Sequence, residues 1–326
     1  MLKIGIVGTF AASLETAIRR NLTIPCHIVV SEEAAVASRL ADVDVLVTMA
    51  LSREMARACA HLKLVQVAGA GLDRIDRSAM PGGAWLANVH GHENGIAEYV
   101  IGAMLALTRD FIRLDAALRK GDWQSQWAIG IAPPPVWPEL TGKTLGVLGF
   151  GRIGQAVARR ARAFGMEICA VRRNVRHSIE DDVALLGGPE AVEEVIGRSD
   201  YVLVSMPATP DAVGLMDRRR LGLMKRTACL INVARAEIVD EDALDEALAE
   251  RSIAGAALDV WYRYPQEAGR TPPATRPFHD LPNVLMTPHV SGWTEGMLDA
   301  RAKLIAENIR RVALGESPLN LVHHEW

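Results

Sequence analysis

Short β-branched runs alternate with stretches of helical spacing from one end of the chain to the other. Lys3–Val7, His27–Val30, Val43–Val47, Lys63–Val67 and Trp85–Asn88 read as strands, each a brief apolar run between turn-forming residues. Ala12–Arg20, Glu32–Leu40 and Ser52–Cys59 carry helical periodicity between them. From Ala97 to Arg119 apolar residues recur at helical spacing in a stretch strong in Ala, Leu and Met, which predicts one long helix. Gly121–Lys143 has no period. It holds glycine, proline and three tryptophans, Trp123, Trp127 and Trp137, and reads as an irregular excursion whose tryptophans suit a partner surface. A second alternating series follows, with strands Thr144–Leu148, Ile168–Val171, Tyr201–Ser205, Ala228–Asn232, Ala254–Asp259 and Val284–Met286. Helices are expected at Ile153–Ala163, Glu190–Ile196, Arg218–Leu223, Glu241–Glu250 and Thr294–Leu314. The pattern predicts α/β architecture: two doubly wound parallel-sheet domains, the second larger.

Composition narrows the class without naming an activity. The 326 residues include 49% hydrophobic and 23% charged positions, and 36 Lys and Arg nearly balance 39 Asp and Glu. That balance gives no broad electrostatic pull toward nucleic acid or anionic membrane. No apolar run approaches the roughly 18 residues of a spanning helix, and MLKIGIVGTF lacks a signal-peptide layout, so a cytoplasmic protein is expected. Cys26, Cys59, Cys169 and Cys229 are scattered with no CxxC, as suits reduced thiols. His90-Gly91-His92-Glu93 reads as a strand-to-helix junction, and no metal site is expected.

The strongest local signal is Gly149-Phe150-Gly151-Arg152-Ile153-Gly154, directly after an apolar strand and at the start of a helix. In that setting Gly149 allows the tight turn and Gly151 lets the backbone approach a pyrophosphate. Gly154 permits close helix–strand packing, and the helix start at Arg152 and Ile153 offers amide donors to a dinucleotide. An NAD enzyme places Asp or Glu about 20 residues on, to hold the ribose hydroxyls. Here the next strand ends in Arg172 and Arg173, with Arg172 18 residues beyond Gly154. Guanidinium groups there suit a 2′-phosphate, so NADP is the expected cofactor and NAD the alternative.

Three stretches begin where predicted strands of the nucleotide domain end: Asn232–Asp240, Ala257–Trp261 and Thr287–Gly292. They bring Arg235, Asp259 and His289 to the edge where open α/β sheets bind ligands. An arginine can grip a carboxylate and polarise a carbonyl, while a histidine moves the hydroxyl proton near neutral pH. Beside a hydride carrier, that set suits reduction of a 2-oxo acid.

With these residues the sequence resembles the D-isomer-specific 2-hydroxyacid dehydrogenases over nearly its whole length. The motifs VAGAGLDRID, NGIAEYV, GFGRIGQAVARRARAFGM, SMPATPDA, NVARAEIVD, ALDVW and TPHVSG occur in the family's order. The resemblance implies a discontinuous, flavodoxin-like substrate domain of residues 1–96 plus 291–326 around a Rossmann nucleotide domain of residues 97–290. It also implies that Gly69, Ala70 and Gly71 present amides to the substrate carboxylate, opposite Arg235. His289 would be the acid/base, and Asp259, near the nicotinamide, would help set the histidine's environment. Met206, Pro207, Val233 and Ala234 would line the cofactor, and Trp293 would cover the substrate or pack between elements. The long helix and the excursion after it would build a homodimer.

One position departs from the family. Its usual Glu before the proline, which pairs with the histidine, is Tyr264 here; Glu267 lies three residues on and is the other candidate partner. A phenol stabilises an imidazolium less than a carboxylate does, so reduction should lose rate at lower pH than in Glu-bearing relatives. Formate dehydrogenases also lack this Glu, but VAGAGLDRID does not resemble their substrate loop. The expected activity is NADP-dependent reduction of a small 2-oxo acid, glyoxylate or hydroxypyruvate in type, to a D-2-hydroxy acid. The alternative is a catalytically weak nucleotide-sensing or scaffold protein on the same fold.

Overall fold

The computed structural model describes residues 1–59, 61–127, 130, 136–175, 183–265 and 269–322. The chain divides into two units, Met1–His92 with Trp293–Trp326, and Glu93–Gly292. The family resemblance put the two cuts at 96/97 and 290/291.

The first unit is built on five parallel strands: β1 Leu2–Val7, β2 Cys26–Ser31, β3 Val45–Thr48, β4 Leu64–Val67 and β5 Trp85–Ala87. Their order is β2-β1-β3-β4-β5, the flavodoxin-like arrangement. β3 and β4 are buried at every position, as strands covered on both faces must be. On one face Ile4, Ile6, Val45, Val47 and Leu64 pack with Ala302, Ile305 and Ile309 of the C-terminal helix Glu295–Ala313. On the other, Val7, Leu46, Val65 and Val67 pack with Val36, Leu40 and Met55. The C-terminal helix thus belongs to this unit because its apolar stripe completes this core. The stretch expected as one helix over Ala12–Arg20 is two, Thr9–Ser13 and Glu15–Asn21, and Glu32–Leu40 begins as a 3₁₀ turn at Glu33–Ala35.

The second unit holds seven parallel strands: β6 Thr144–Leu148, β7 Glu167–Val171, β8 Leu185–Gly187, β9 Tyr201–Val204, β10 Cys229–Asn232, β11 Gly255–Leu258 and β12 Val284–Met286. The order β12-β11-β10-β9-β6-β7-β8 is the Rossmann order with one strand added at the β12 edge. The topology reverses between β6 and β9, so a crevice opens at their carboxyl ends. β8 escaped the sequence reading because three residues carry too little pattern to stand out.

The helix predicted as one element over Ala97–Arg119 is two. Glu93–Arg109 buries Ile96, Ala97, Val100, Ile101, Ala103 and Met104. Asp110 then turns into the left-handed region, at φ 53°, and Phe111–Leu118 follows with no buried residue. Aspartate tolerates that conformation better than most residues, and Asp110 pairs with Arg113. The break coincides with the loss of the buried face. Between Leu118 and Thr144 the described residues form no helix or strand. All four cysteines are free, and among the described residues no helix is long and apolar enough to cross a membrane.

Candidate active site

The glycine loop leaves β6 and is tied to the end of β7. The amides of Gly149 and Phe150 both donate to Val171 O, at 3.1 and 2.8 Å, so the loop lies against the residue that precedes Arg172. Gly149 is at φ 105°, and a Cβ there would meet the Met206 backbone nitrogen at 2.6 Å. A Cβ on Gly154 would lie 2.6 Å from Gly149 O, so the Arg152–Ala163 helix can start this close to the strand only with glycine. A Cβ on Gly151, by contrast, would meet nothing within 4 Å. The helix's first internal bond is Gln155 N to Gly151 O, at 2.9 Å, which leaves the first-turn amides of Arg152, Ile153 and Gly154 outside the helical ladder. Open space in front of amides at a positive helix end fits a pyrophosphate. These residues therefore fit a dinucleotide.

Neighbouring strand ends supply the remaining predicted walls. Met206 and Pro207 follow β9, and Met206 abuts Gly149; Val233 and Ala234 follow β10 and are buried. Arg172 and Arg173 follow β7, where the Arg172 amide donates to Gly187 O at 3.0 Å, and no carboxylate occurs from Arg172 to Val175.

Arg235 sits one turn past β10. The buried Asn232 shapes that turn: its amide group donates to Arg235 O at 2.9 Å and its carbonyl accepts from Ala234 N at 3.1 Å. The Arg235 guanidinium donates to Ala234 O at 2.7 Å.

Asp259, at the end of β11, is fully buried. Its Oδ1 accepts from the Thr287 hydroxyl at 2.7 Å and from Val290 N at 2.9 Å, and its Oδ2 accepts from Ser291 N at 2.9 Å. The Trp261 indole donates to Thr287 O at 2.7 Å. These bonds hold the turn after β12, and His289 lies inside it at φ 57°. Asp259 thus acts first on the histidine's backbone, by stapling the residues on either side of it.

Tyr264 stands where the sequence placed it. Its hydroxyl is 2.8 Å from His289 Nδ1 and accepts from Trp261 N at 3.3 Å, with the two rings tilted at 54°. Glu267, the other candidate partner, lies outside the described residues. His289 remains exposed as a residue, yet desolvation is the largest influence on its imidazole and pulls the pKa below the ordinary value. The Asp259 charge pulls the other way, and the Arg235 charge adds to the lowering. Desolvation raises the pKa of the Tyr264 phenol, which stays protonated at neutral pH. Arg235, Asp259, Tyr264 and His289 are therefore brought together at the carboxyl ends of β10, β11 and β12. A cation for a carboxylate and a titrating imidazole can jointly polarise a carbonyl and exchange its proton.

Gly69, Ala70, Gly71 and Trp293 belong to the other unit. Gly69 is buried just past β4, and the Asn88 side chain donates to Ala70 O at 2.9 Å. Among the described residues no hydrogen bond takes up the amides of Gly69, Ala70 or Gly71. Trp293 is 48% exposed and packs edge-on against Phe10, with ring centroids 5.5 Å apart. The His90–Glu93 stretch gathers no metal set: among the described residues no group of three or more His, Cys, Asp or Glu is placed to hold an ion. Sequence reasoning gave no role to Asn232, Trp261, Thr287 or Tyr99, all of which act through bonds to the loops that carry the site. All four lay within motifs already singled out, which was the available signal.

Comparison with known proteins identifies the family. Residues 101–291 match the D-isomer specific 2-hydroxyacid dehydrogenase, NAD binding domain family. The chain is 37% identical over 295 residues to the glyoxylate reductase of Pyrococcus furiosus, covering 88% of this chain and 84% of that protein. It is 36% identical over 293 residues to the D-3-phosphoglycerate dehydrogenase of Methanocaldococcus jannaschii, covering 87% of this chain and 52% of that longer protein. Among solved structures, the NADPH-dependent glyoxylate/hydroxypyruvate reductase of Sinorhizobium meliloti, in complex with NADP and malonate, superposes with a TM-score of 0.79. That match is 26% identical and covers 98% of this chain and 96% of the other. The family match over residues 101–291, with relatives 36–37% identical over most of the chain, shows that the chain belongs to the D-isomer specific 2-hydroxyacid dehydrogenase family.

Proposed function

We propose that the protein is an NADP(H)-preferring reductase of small 2-oxo acids, glyoxylate or hydroxypyruvate in type, giving D-2-hydroxy acids. The observation that carries this reading is the grouping of Arg235, Asp259 and Tyr264 around His289, at the same sheet edge as the glycine loop. The nicotinamide cofactor supplies or takes the hydride when bound. Arg235 binds the substrate carboxylate and draws electron density from the adjacent carbonyl. The backbone amides of Gly69, Ala70 and Gly71 receive the carboxylate as well. His289 gives its Nε2 proton to the oxygen as it becomes a hydroxyl, and takes it back in oxidation. Tyr264 orients the ring through Nδ1. No basic cluster beyond Arg235 marks a second anionic group on the substrate, which supports a small one.

The NADP preference rests on Arg172 and Arg173, which sit where a ribose-binding carboxylate would stand in an NAD enzyme. The Sinorhizobium meliloti relative, named as NADPH-dependent, is consistent with it. Arg172→Asp should shift the NADPH/NADH ratio of kcat/KM toward NADH by about tenfold or more, the value of one charge-assisted hydrogen bond. An unchanged ratio would overturn the preference. A panel of 2-oxo acids with both cofactors tests the activity itself. Tight cofactor binding without turnover would favour the nucleotide-sensing alternative.

The molecule would work in the cytoplasm as a homodimer. Phe111, Ile112, Leu118, Trp123 and Trp127 are each more than half exposed along Phe111–Leu118 and the segment after it. A second copy of the chain is the occupant proposed for that surface. Light scattering should give twice the 35.4 kDa chain mass, and a monomeric mass would remove this part of the reading.

A further inference from the structure

A half-buried phenol stands behind the histidine turn. Tyr99 lies on the Glu93–Arg109 helix, anchored by the buried Ile96, Ala97 and Val100, and its hydroxyl is 2.7 Å from Thr287 Oγ1. The Thr287 hydroxyl has one hydrogen, and that hydrogen is donated to Asp259 Oδ1 at 2.7 Å. Tyr99 must therefore be the donor to Thr287. Burial pushes the Tyr99 pKa up to about 12, which keeps this hydrogen in place through the working pH range. The result is a directed chain, Tyr99 O–H to Thr287 O–H to Asp259, ending on the carboxylate that also takes the Val290 and Ser291 amides.

We propose that the Tyr99 hydroxyl is a positioning group for His289: it orients Thr287 onto Asp259 and so braces the 287–291 turn that carries the imidazole. The proposal rests on the reading of His289 as the acid/base. Aligned hydrogen bonds strengthen one another in a poorly solvated setting, so the hydroxyl also spreads the Asp259 charge. Asp259 and Arg235 are the charges that act on the imidazole; Tyr264 bonds to its Nδ1, and Glu237 acts on Tyr264. Without Tyr99 the carboxylate should draw harder on the imidazolium and the turn should be less firmly held.

Tyr201 supplies the control. Its hydroxyl bonds to Thr108, on the same helix as Tyr99 but away from the turn, so Tyr201→Phe removes a Tyr–Thr bond of the same kind, one more deeply buried. Tyr99→Phe should lower kcat for 2-oxo acid reduction by about fivefold, the value of one neutral hydrogen bond, with KM little changed. It should also move the pH dependence of kcat/KM to higher pH. Thr287→Val should match or exceed that loss, Thr287→Ser should restore it, and Tyr201→Phe should leave kinetics and pH profile as in the wild type. NMR titration of the His289 ring reads the same link without turnover, with an upward shift expected in Tyr99→Phe and none in Tyr201→Phe. Wild-type kinetics and an unmoved His289 titration in Tyr99→Phe would overturn the proposal, as would equal losses in Tyr201→Phe. A wild-type protein inert toward every 2-oxo acid would defeat the acid/base reading instead, while the NMR shift would still report the link.

Discussion

His289→Gln should cut kcat for 2-oxo acid reduction by about 10²- to 10⁴-fold while leaving cofactor affinity nearly unchanged. Glutamine preserves a polar group at the turn but cannot change protonation state. The residual rate would come from Arg235 and the bound geometry. The histidine also dictates the shape of the wild-type pH profile. Reduction consumes a proton, so the imidazolium is the competent form. Desolvation together with the Arg235 charge pulls the His289 pKa below its ordinary value, and the Tyr264 phenol does not replace a carboxylate's support for the cation. The kcat/KM for reduction should therefore fall as pH rises through that lowered pKa. Oxidation, which needs the neutral ring, should rise over the same interval. Both trends should vanish in His289→Gln. A reductive profile holding up well beyond pH 8 would contradict the assignment and point to a carboxylate such as Glu267 as the partner.

Arg235→Gln should lower kcat/KM by about 10²- to 10³-fold, with much of the loss in KM, because a guanidinium fork binds a carboxylate through two parallel hydrogen bonds. Arg235→Lys should recover only part of it, since a point charge keeps the attraction but not the fork. The same substitution carries a second signature. Arg235 lowers the His289 pKa, so its neutralisation should displace the reductive pH profile toward higher pH. Loss of rate with an unmoved profile and an unchanged KM would mean that Arg235 does not face the substrate.

How legible these features were in the sequence depended on how local their causes are. The glycine loop could be read at sight, because its glycine spacing is local: Gly154 is demanded by Gly149 O five residues earlier, at 2.6 Å, while the Met206 contact that demands Gly149 comes from the end of β9. Strand positions could be read because fully buried parallel strands appear as continuous apolar runs. The break at Asp110 could not, since helix propensity separates neighbouring residues by only a few tenths of a kcal/mol and the deciding event is loss of a buried face. Asp259 and His289 were singled out as residues, but not the manner of their coupling. Three donors from positions 287–291 converge on a carboxylate some 30 residues earlier, and no local pattern encodes that. Tyr99 was hidden for a similar reason, as one aromatic among the apolar positions of a helix.

The left-handed backbone at His289 carries an evolutionary implication. A φ of 57° disfavours any residue with a Cβ by about 1 kcal/mol, and glycine would occupy it freely. Selection for folding alone would push this position toward glycine, so under the proposed acid/base role the histidine here is a case of chemistry set against stability. The Asp259 staple makes that compromise tolerable, since its three bonds define the turn whichever side chain sits at its centre. Position 289 is thus one at which drift after loss of function should leave the fold intact and the catalyst gone.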